Sequence, residues 1–268
     1  MANLRILITG ATSGLGKEMA VQLGREGAKL ALTGRRKEKL DEAAKAAREA
    51  GASDVLLLVG DVTDQAQVKA QYGQIKKAWG GLDWAILNAG VSDSVSAREF
   101  KADNYTWTYA TNLFGVYYWM EEVIPGMMAQ GSGVIAGVAS LAGFRGLPGA
   151  GAYSSSKAAL ITALESARVD LRGTGVDVVT ICPGFVKSEI TARYEGQKLP
   201  FQLETADGVR RMLNGIRARR RIVHFPWQLS YFMVYVVHNA PGWLYDRLVG
   251  YYRKKKAPYK DESKAGKP

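Results

Sequence analysis

The stretch Thr9–Ala20, TGATSGLGKEMA, decides the fold because three closely spaced glycines join an apolar run to a helical pattern. The preceding run 4–9, LRILIT, is apolar and predicts a buried strand. Gly10 would let the chain turn off this strand, while Gly14 and Gly16 would leave room for a pyrophosphate at the amino end of the next helix. Strand, glycine turn and helix in this order predict a nucleotide-binding βαβ unit.

Short apolar runs alternate with amphipathic stretches over residues 1–190. The runs are almost continuously apolar, which is typical of strands buried on both faces of a parallel sheet. Strands are predicted at 4–9, 29–33, 54–59, 83–88, 133–140 and 177–183, with a further candidate at 221–225. Helices are predicted at 14–26, 36–50, 64–79, 104–129, 153–172 and 205–219. This alternation predicts a doubly wound α/β domain with right-handed crossovers.

The pattern changes in the last third of the chain. Residues 185–204 carry turn residues and mixed polarity, and residues 226–252 are rich in aromatic side chains. Residues 253–268 are strongly charged and predict a disordered basic tail. We therefore predict one dinucleotide-binding and catalytic domain over residues 1–252.

The end of the second predicted strand indicates which dinucleotide would bind. An acid at this position would bind the 2′-hydroxyl of NAD, but the segment 32–36, LTGRR, offers Arg35 and Arg36 instead. Guanidinium groups match phosphate oxygens well, so NADP(H) is the predicted cofactor and Arg35 the better candidate. NAD(H) stays open as the alternative, as does an ordinary solvated basic turn.

Polar and small residues follow two other predicted strands at the same sheet edge. Asp61 and Val62 follow the third strand, and Asn88, Ala89 and Gly90 follow the fourth. These residue types also suit ordinary turns. Their placement at the ligand-binding edge is what favours a role in binding.

The stretch 152–158, AYSSSKA, places Tyr153 and Lys157 on one face of a predicted helix. A free tyrosine has a pKa of about 10, and a neighbouring ammonium would favour the phenolate and make proton transfer feasible near neutral pH. Ser140 ends the preceding strand, where its hydroxyl could reach the same carbonyl oxygen as Tyr153. Asn112 is a poor residue for the middle of a helix, and it could hold a water that connects Lys157 to solvent.

Taken in order, these motifs resemble the short-chain dehydrogenase/reductase family in its ordinary short form. The resemblance spans residues 4–190 and rests on Thr9-Gly10, Gly14, Gly16, Asp61, Asn88-Ala89-Gly90, Asn112, Ser140, Tyr153, Lys157 and Pro183-Gly184. It implies a Rossmann-type, doubly wound parallel sheet of about seven strands with helices on both faces. It also implies that residues 185–219 form a substrate lid.

The resemblance implies an Asn-Ser-Tyr-Lys tetrad. By it, Tyr153 is the acid/base, and Ser140 orients the carbonyl. Lys157 would lower the pKa of Tyr153 and bind the nicotinamide ribose, while Asn112 would anchor a proton-relay water. The cofactor-binding residues that the resemblance and the loop patterns indicate are Thr9, Gly10, Thr12, Ser13, Gly14, Leu15, Gly16, Arg35, Arg36, Asp61, Val62, Asn88, Ala89, Gly90, Tyr153, Lys157, Pro183, Gly184, Val186 and Ser188.

One position departs from the family pattern. NADP-using members often carry a basic residue just before the second glycine of the loop, where this chain has Ser13. The predicted preference for NADP(H) therefore rests on Arg35 and Arg36, with Lys17 as a further cation.

The predicted function is an NADP(H)-dependent oxidoreductase that interconverts a carbonyl and an alcohol on a small hydrophobic substrate by hydride transfer. An NAD-dependent alcohol dehydrogenase of the same family is the first alternative. A non-catalytic nucleotide-binding regulator is the second, and it is disfavoured because all four tetrad positions are filled. The resemblance also implies a homodimer or homotetramer packed through residues 104–129 and 153–172.

The charge distribution raises a second possibility for partners. The net charge is +11, and residues 217–256 hold nine basic residues against one acid, which gives +8. An aromatic segment between basic clusters resembles an element lying on an anionic bilayer. Peripheral membrane contact through 217–256 therefore stands beside the favoured interpretation, a core or subunit-interface segment. Nucleic acid is not predicted because no recognition motif accompanies the basic residues.

The cysteine and histidine content excludes other classes of site. The single Cys182 cannot form an internal disulfide and is predicted to be a buried core thiol. No metal site is predicted, because the two histidines lie far from it in sequence. No secretory leader is expected, and no run reaches the roughly 18–20 apolar residues that span a bilayer. The expected location is cytoplasmic, with attachment to the inner face of a membrane as the alternative.

Overall fold

A computed structural model of the chain describes residues 2–192 and 199–255, with side chains described up to residue 249. Within these ranges, seven strands form one sheet: β1 (Arg5–Thr9), β2 (Lys29–Gly34), β3 (Asp54–Val59), β4 (Trp84–Leu87), β5 (Gly133–Val138), β6 (Val176–Pro183) and β7 (Ile222–Phe225). All neighbouring strands are parallel, so the predicted parallel sheet is confirmed.

The strand order is β3-β2-β1-β4-β5-β6-β7. The chain builds outward from β1 to β3 and then returns to the other side of β1 with β4. This reversal opens a crevice beyond the carboxyl ends of β1 and β4, where open α/β sheets bind their ligands.

The helices of the described residues are α1 (Gly14–Gly24), α2 (Lys37–Ala50), α3 (Gln65–Trp79), α4 (Ala102–Tyr109), α5 (Gly115–Gln130), α6 (Gly151–Asp170), α7 (Glu189–Ala192), α8 (Thr205–Arg217), α9 (Trp227–Tyr231) and α10 (Gly242–Lys255). One core layer packs α1, α2 and α8 against the sheet, and the other packs α3, α5 and α6. In β1, Ile6 and Ile8 face the first layer while Leu7 faces the second. Burial on both faces explains why the strand sequences are continuously apolar.

The helix predicted over 104–129 is not continuous. A π-helical turn, Ala110–Phe114, separates α4 from α5, and Asn112 lies at its centre. Turns of this kind often occur at functional sites. The prediction of one regular helix was therefore wrong at the residue that had been singled out as a poor helix former.

The structure also differs from the predicted end of the lid and from the predicted start of the tail. The side chains of Val209, Met212 and Ile216 on α8 are fully buried, so the second half of the predicted lid 185–219 is a core helix. The predicted tail begins too early, because α10 continues to Lys255. Residues 193–198 of the predicted lid and residues 256–268 of the predicted tail lie outside the described ranges.

Candidate active site

Each glycine of the turn after β1 has a structural reason, either a positive φ angle or a close contact with the main chain. Gly10 and Gly14 have φ angles of +66° and +51°, which favour glycine. A Cβ at Gly16 would overlap the carbonyl oxygen of Gly10 and lie 2.9 Å from the Cα of Ala11. Gly16 is therefore required where α1 packs on the turn.

Hydrogen bonds join the ends of β1 and β4 beneath this turn. The Oγ1 of Thr9 accepts from the main-chain amides of Asn88 and Ala89, each at 2.9 Å. The side-chain amide of Asn88 donates to the carbonyl oxygens of Thr9 and Gly10 at 3.0 and 3.3 Å. Asn88 thus fixes the floor of the crevice.

Above this floor lies a cavity of about 410 Å³. Among its lining residues are these predicted cofactor-binding residues: Gly10, Thr12, Ser13, Gly14, Leu15, Arg35, Arg36, Asp61, Val62, Asn88, Ala89, Gly90 and Ser188. Sequence reasoning missed other lining residues, among them Trp107, Thr111, Glu189 and Ile190. Trp107 and Thr111 belong to α4 and the π-helical turn, which carried no binding motif in the sequence.

The two arginines after β2 take different partners. Arg36 donates to the hydroxyl oxygens of Thr12 and Ser13, both at 3.0 Å, and to the carboxylate of Glu189. Arg35 lies 3.5 Å from the carboxylate of Asp61. Arg36 is therefore the arginine that contacts the glycine loop, and the prediction that Arg35 is the better ligand for the phosphate of NADP(H) stays a prediction.

Lys157 is almost completely buried, with 3% of its surface exposed. Its ammonium donates to the carbonyl oxygen of Val138 at 2.8 Å and lies 5.9 Å from the centre of the Tyr153 ring. Burial lowers the pKa of Lys157 to about 8. Lys157 therefore remains mostly a cation at neutral pH and is held beside the half-buried Tyr153.

Ser140 lies two residues beyond β5, at the start of a short turn. Its hydroxyl oxygen accepts from the amide of Ala142 at 3.1 Å and lies 3.5 Å from the carbonyl oxygen of Pro183. This turn also holds α6 close, since a Cβ at Gly143 would lie 2.9 Å from the carbonyl carbon of Lys157. The turn that begins at Ser140 thus packs directly on α6 at Lys157.

Asn112 is fully buried, and its side chain acts as a clamp. Its carbonyl oxygen accepts from the amide of Val91 at 2.8 Å, and its amide donates to the carbonyl of Val91 at 2.9 Å and the hydroxyl of Ser156 at 3.1 Å. These bonds join the loop after β4 to α6. The predicted role of Asn112 as the anchor of a proton-relay water stays a prediction.

Gly90 connects the crevice to the predicted tetrad. A Cβ there would lie 3.3 Å from the side-chain oxygen of Asn112 and 3.4 Å from the ammonium of Lys157. The loop that lines the crevice therefore passes directly over two predicted catalytic residues.

The four predicted cofactor-binding residues at and after the end of β6 do not all lie against the crevice. Gly184 donates from its amide to the carbonyl of Phe225 at 2.7 Å, and Pro183 pairs with Phe225 in the sheet. Val186 is buried against Gly208 of α8, whereas the Cβ of Ser188 lies 3.3 Å from the position of a Cβ on Gly14. Of these four residues, Ser188 is therefore the one that lies against the glycine turn.

The aromatic C-terminal segment packs on the loop that follows Ser140. Arg145 donates to the carbonyls of His238 and Ala240 at 2.9 and 3.2 Å, and its guanidinium lies 4.5 Å from the centre of the Tyr245 ring. The hydroxyl of Tyr245 donates to the carbonyl of Gly146 at 2.6 Å. This segment therefore borders the predicted catalytic site.

Cys182 is buried, as predicted, and burial raises its pKa to about 12. Its thiol is therefore unreactive at neutral pH.

Over the described part of the chain, no group of three or more His, Cys, Asp or Glu side chains could hold a metal ion. Nor does any helix in residues 2–192 and 199–255 have both the length and the apolar character needed to cross a membrane.

Comparisons with known proteins show which family the chain belongs to. The sequence model described as short chain dehydrogenase matches residues 5–198. An uncharacterized oxidoreductase of Myxococcus xanthus (strain DK1622) is 42% identical over 224 residues, which cover 84% of this chain and 88% of the relative. An uncharacterized oxidoreductase of Staphylococcus aureus (strain MW2) is 35% identical over 188 residues, covering 70% and 80% of the two chains.

The crystal structure of levodione reductase is also similar. It superposes with a TM-score of 0.80 at 26% identity and covers 86% of this chain and 98% of that one. The fold and the crevice define a dinucleotide-dependent oxidoreductase of the α/β class. The chain belongs to the short-chain dehydrogenase/reductase family, and it is an NAD(P)-dependent dehydrogenase or reductase.

Proposed function

We propose that the chain is an NADP(H)-dependent oxidoreductase that interconverts a carbonyl and a primary or secondary alcohol on a small hydrophobic substrate. The observation that carries the proposal is the buried ammonium of Lys157 beside the Tyr153 ring, under the loop that lines the crevice. The name of levodione reductase supports the direction of carbonyl reduction.

The residues of the crevice fit a dinucleotide. The glycine turn leaves main-chain amides accessible at the amino end of α1, and the helix has no acid in its first turn, which suits a pyrophosphate. Arg35 and Arg36 flank the end of β2, where the adenosine ribose would lie. The bound nicotinamide would supply or accept the hydride, and the protein would orient it and exclude water.

The predicted tetrad would transfer the proton to the substrate. Tyr153 would donate its phenolic proton to the carbonyl oxygen during reduction, and the cationic Lys157 would favour the phenolate that results. Ser140 would hold the same oxygen by a hydrogen bond. The Asn112 clamp would keep α6, and with it Tyr153 and Lys157, in register with the crevice.

NADPH is expected to bind at least about tenfold more tightly than NADH, because charge-assisted hydrogen bonds to a phosphate contribute about 1.5–3 kcal/mol. Arg36→Ala should abolish most of this difference and Arg35→Ala less of it. Fluorescence titration of the four protein–cofactor combinations measures both effects, with Arg211→Ala on the exposed side of α8 as the charge control. If the unmodified protein binds NADPH and NADH with equal affinity, the proposed NADP preference is wrong and the NAD-dependent alternative remains.

The substrate class is proposed from the surroundings of the tetrad. The Nδ1 atom of His238 donates to the carbonyl oxygen of Phe144 at 2.6 Å, and the rings of these two residues pack edge to face at 5.9 Å. Leu229 and Val234 of the C-terminal segment pack on the core layer that contains Leu141. Apolar side chains of the C-terminal segment thus lie beside the loop that follows Ser140, which favours a hydrophobic carbonyl compound or alcohol.

We also propose that the protein contacts an anionic membrane surface through α9, α10 and the turn between them. The carrying observation is a set of exposed apolar side chains on this segment: Trp227, Tyr231, Phe232, Tyr235, Val236, Trp243 and Leu248. Trp227 and Trp243 are 70% and 69% exposed. Aromatic rings with basic neighbours suit the interfacial region of a bilayer.

The fold limits which basic residues could take part in this membrane contact. Arg217 and Arg219 form ion pairs with Glu26 and Asp177 at the amino end of β7, whereas α9 begins at its carboxyl end. A four-residue strand separates the two ends by about 13 Å. The cluster 217–221 therefore lies away from the aromatic surface, whereas Arg247 lies on α10 itself.

Full-length protein is expected to float with vesicles that contain phosphatidylserine, and a Trp227→Ser/Trp243→Ser variant is expected to lose most of this binding. Val169→Ser, which alters a 60% exposed residue at the far end of α6, is the control and should float normally. Truncation is unsuitable, because removing residues from 222 onward deletes β7. Absence of flotation by the full chain would end the membrane proposal.

Members of this family generally form oligomers. We propose a homodimer or homotetramer through the faces of α4, α5 and α6. Phe114 and Met128 are exposed on this part of the surface, and burying them would stabilise an interface.

A further inference from the structure

A carboxylate sits among the cations beside the glycine turn. Glu189 is the first residue of α7, and its oxygens accept from Arg36 at 2.8 and 3.1 Å, from Lys39 at 2.9 Å and from the hydroxyl of Ser13 at 2.8 Å. The hydrogen bonds from Arg36, Lys39 and Ser13 lower the pKa of Glu189 to about 2. The group is therefore an anion throughout the neutral pH range.

The donors around Glu189 are those that a phosphate would use. Arg36 directly follows β2, and Ser13 precedes α1, so the cluster lies where a dinucleotide fold holds the adenosine ribose. A guanidinium fork, an ammonium and a hydroxyl can each donate hydrogen bonds to a carboxylate or to a phosphate. Arg35 is not part of the cluster, because it pairs with Asp61.

We propose that Glu189 determines cofactor specificity by occupying the 2′-phosphate site of NADP(H) in the free protein, so that the phosphate binds only when it displaces this carboxylate. The inference rests on the proposed function, which places the adenosine ribose at this end of the crevice. NADH carries a hydroxyl at the same position and leaves Glu189 in place. The carboxylate therefore weakens NADPH binding selectively.

The position of Glu189 makes the displacement feasible. Its side chain is 49% exposed, so it can turn to solvent without breaking core packing. It follows Ser188, whose Cβ lies against Gly14, so the displaced group would remain next to the pyrophosphate end of the crevice. Binding of NADP(H) would thus replace the ion pair between Glu189 and Arg36 with one between the 2′-phosphate and Arg36.

The test is a fluorescence titration of the full-length protein and two variants with NADPH and with NADH. Glu189→Gln should bind NADPH about tenfold more tightly, because a competing anion is removed from charge-assisted donors, and NADH within about twofold of the unmodified protein. Glu49→Gln is the matched control. It removes one charge from a 66% exposed carboxylate that pairs with Lys45 on α2, and it should change neither affinity.

Two results would overturn the proposal. One is an NADPH affinity of Glu189→Gln that equals or falls below that of the unmodified protein. The other is an equal gain in Glu49→Gln, which would indicate a general effect of net charge. The proposed NADP preference is judged separately, from the unmodified protein alone. If that protein binds both cofactors equally, a selective NADPH gain in Glu189→Gln still supports the competition, and no gain still rejects it.

Discussion

Tyr153→Phe is expected to lower kcat by about a thousandfold, because positioned proton transfer contributes roughly 10²–10⁴ to the rate. The variant keeps the ring and removes only the hydroxyl. The ring stays packed near Lys157, so NADPH affinity and the unfolding temperature should remain close to those of the unmodified protein. Steady-state rates of NADPH oxidation with an accepted carbonyl substrate, together with cofactor titration, separate the two effects.

Tyr231→Phe is the control for this substitution, since Tyr231 is 62% exposed on α9. It should retain full activity. Substantial residual turnover by Tyr153→Phe would remove the acid/base assignment and leave the alternative in which the chain binds a nucleotide without the proposed chemistry. A loss of cofactor affinity as large as the loss of kcat would indicate a disrupted fold instead.

Gly16→Ala is expected to reduce NADPH affinity by at least about a hundredfold or to prevent stable folding. The added Cβ would meet main-chain atoms of Gly10 and Ala11, which cannot turn aside as a flexible side chain can. Relief requires α1 to move off the turn, and this movement withdraws the amino end of the helix from the crevice. Thermal unfolding and cofactor titration measure the two consequences.

Gly73→Ala gives a matched comparison for the Gly16 variant. Gly73 lies within α3, and a Cβ there meets nothing within 4 Å. Alanine is the better helix former, so this variant should gain roughly 0.5–1 kcal/mol of stability with unchanged cofactor binding. If both substitutions prove harmless, the close packing described for Gly16 does not limit this site.

Much of the fold was predictable because its signals are local. Each buried strand is a short apolar run, and Gly10, Gly14 and Gly16 follow the first of them in a fixed order. Parallel strands bring their carboxyl ends to one edge, so residues after β1, β2, β3 and β4 could be placed in one crevice before any coordinates were known. The match of the family model over residues 5–198 confirms the family.

The parts that could not be predicted depend on contacts between distant residues. The π-helical turn places Asn112 against Val91 and Ser156. Asn112 is a poor helix former, but this local signal gives neither the π-helical geometry nor the two distant partners. Glu189 meets Arg36 across 153 positions of sequence. The different partners of Arg35 and Arg36 could not be predicted for the same reason, since order along the chain does not determine which guanidinium turns toward the loop.

The parallel sheet has a consequence for how an apolar substrate would arrive. Because all seven strands run in one direction, the crevice and the start of α9 lie at the same edge of the molecule. If the exposed rings of α9 and α10 rest on lipid, that edge faces the bilayer. A poorly soluble compound could then partition from the lipid into the site over a short path, and its concentration in the membrane rather than in water would set the rate of supply.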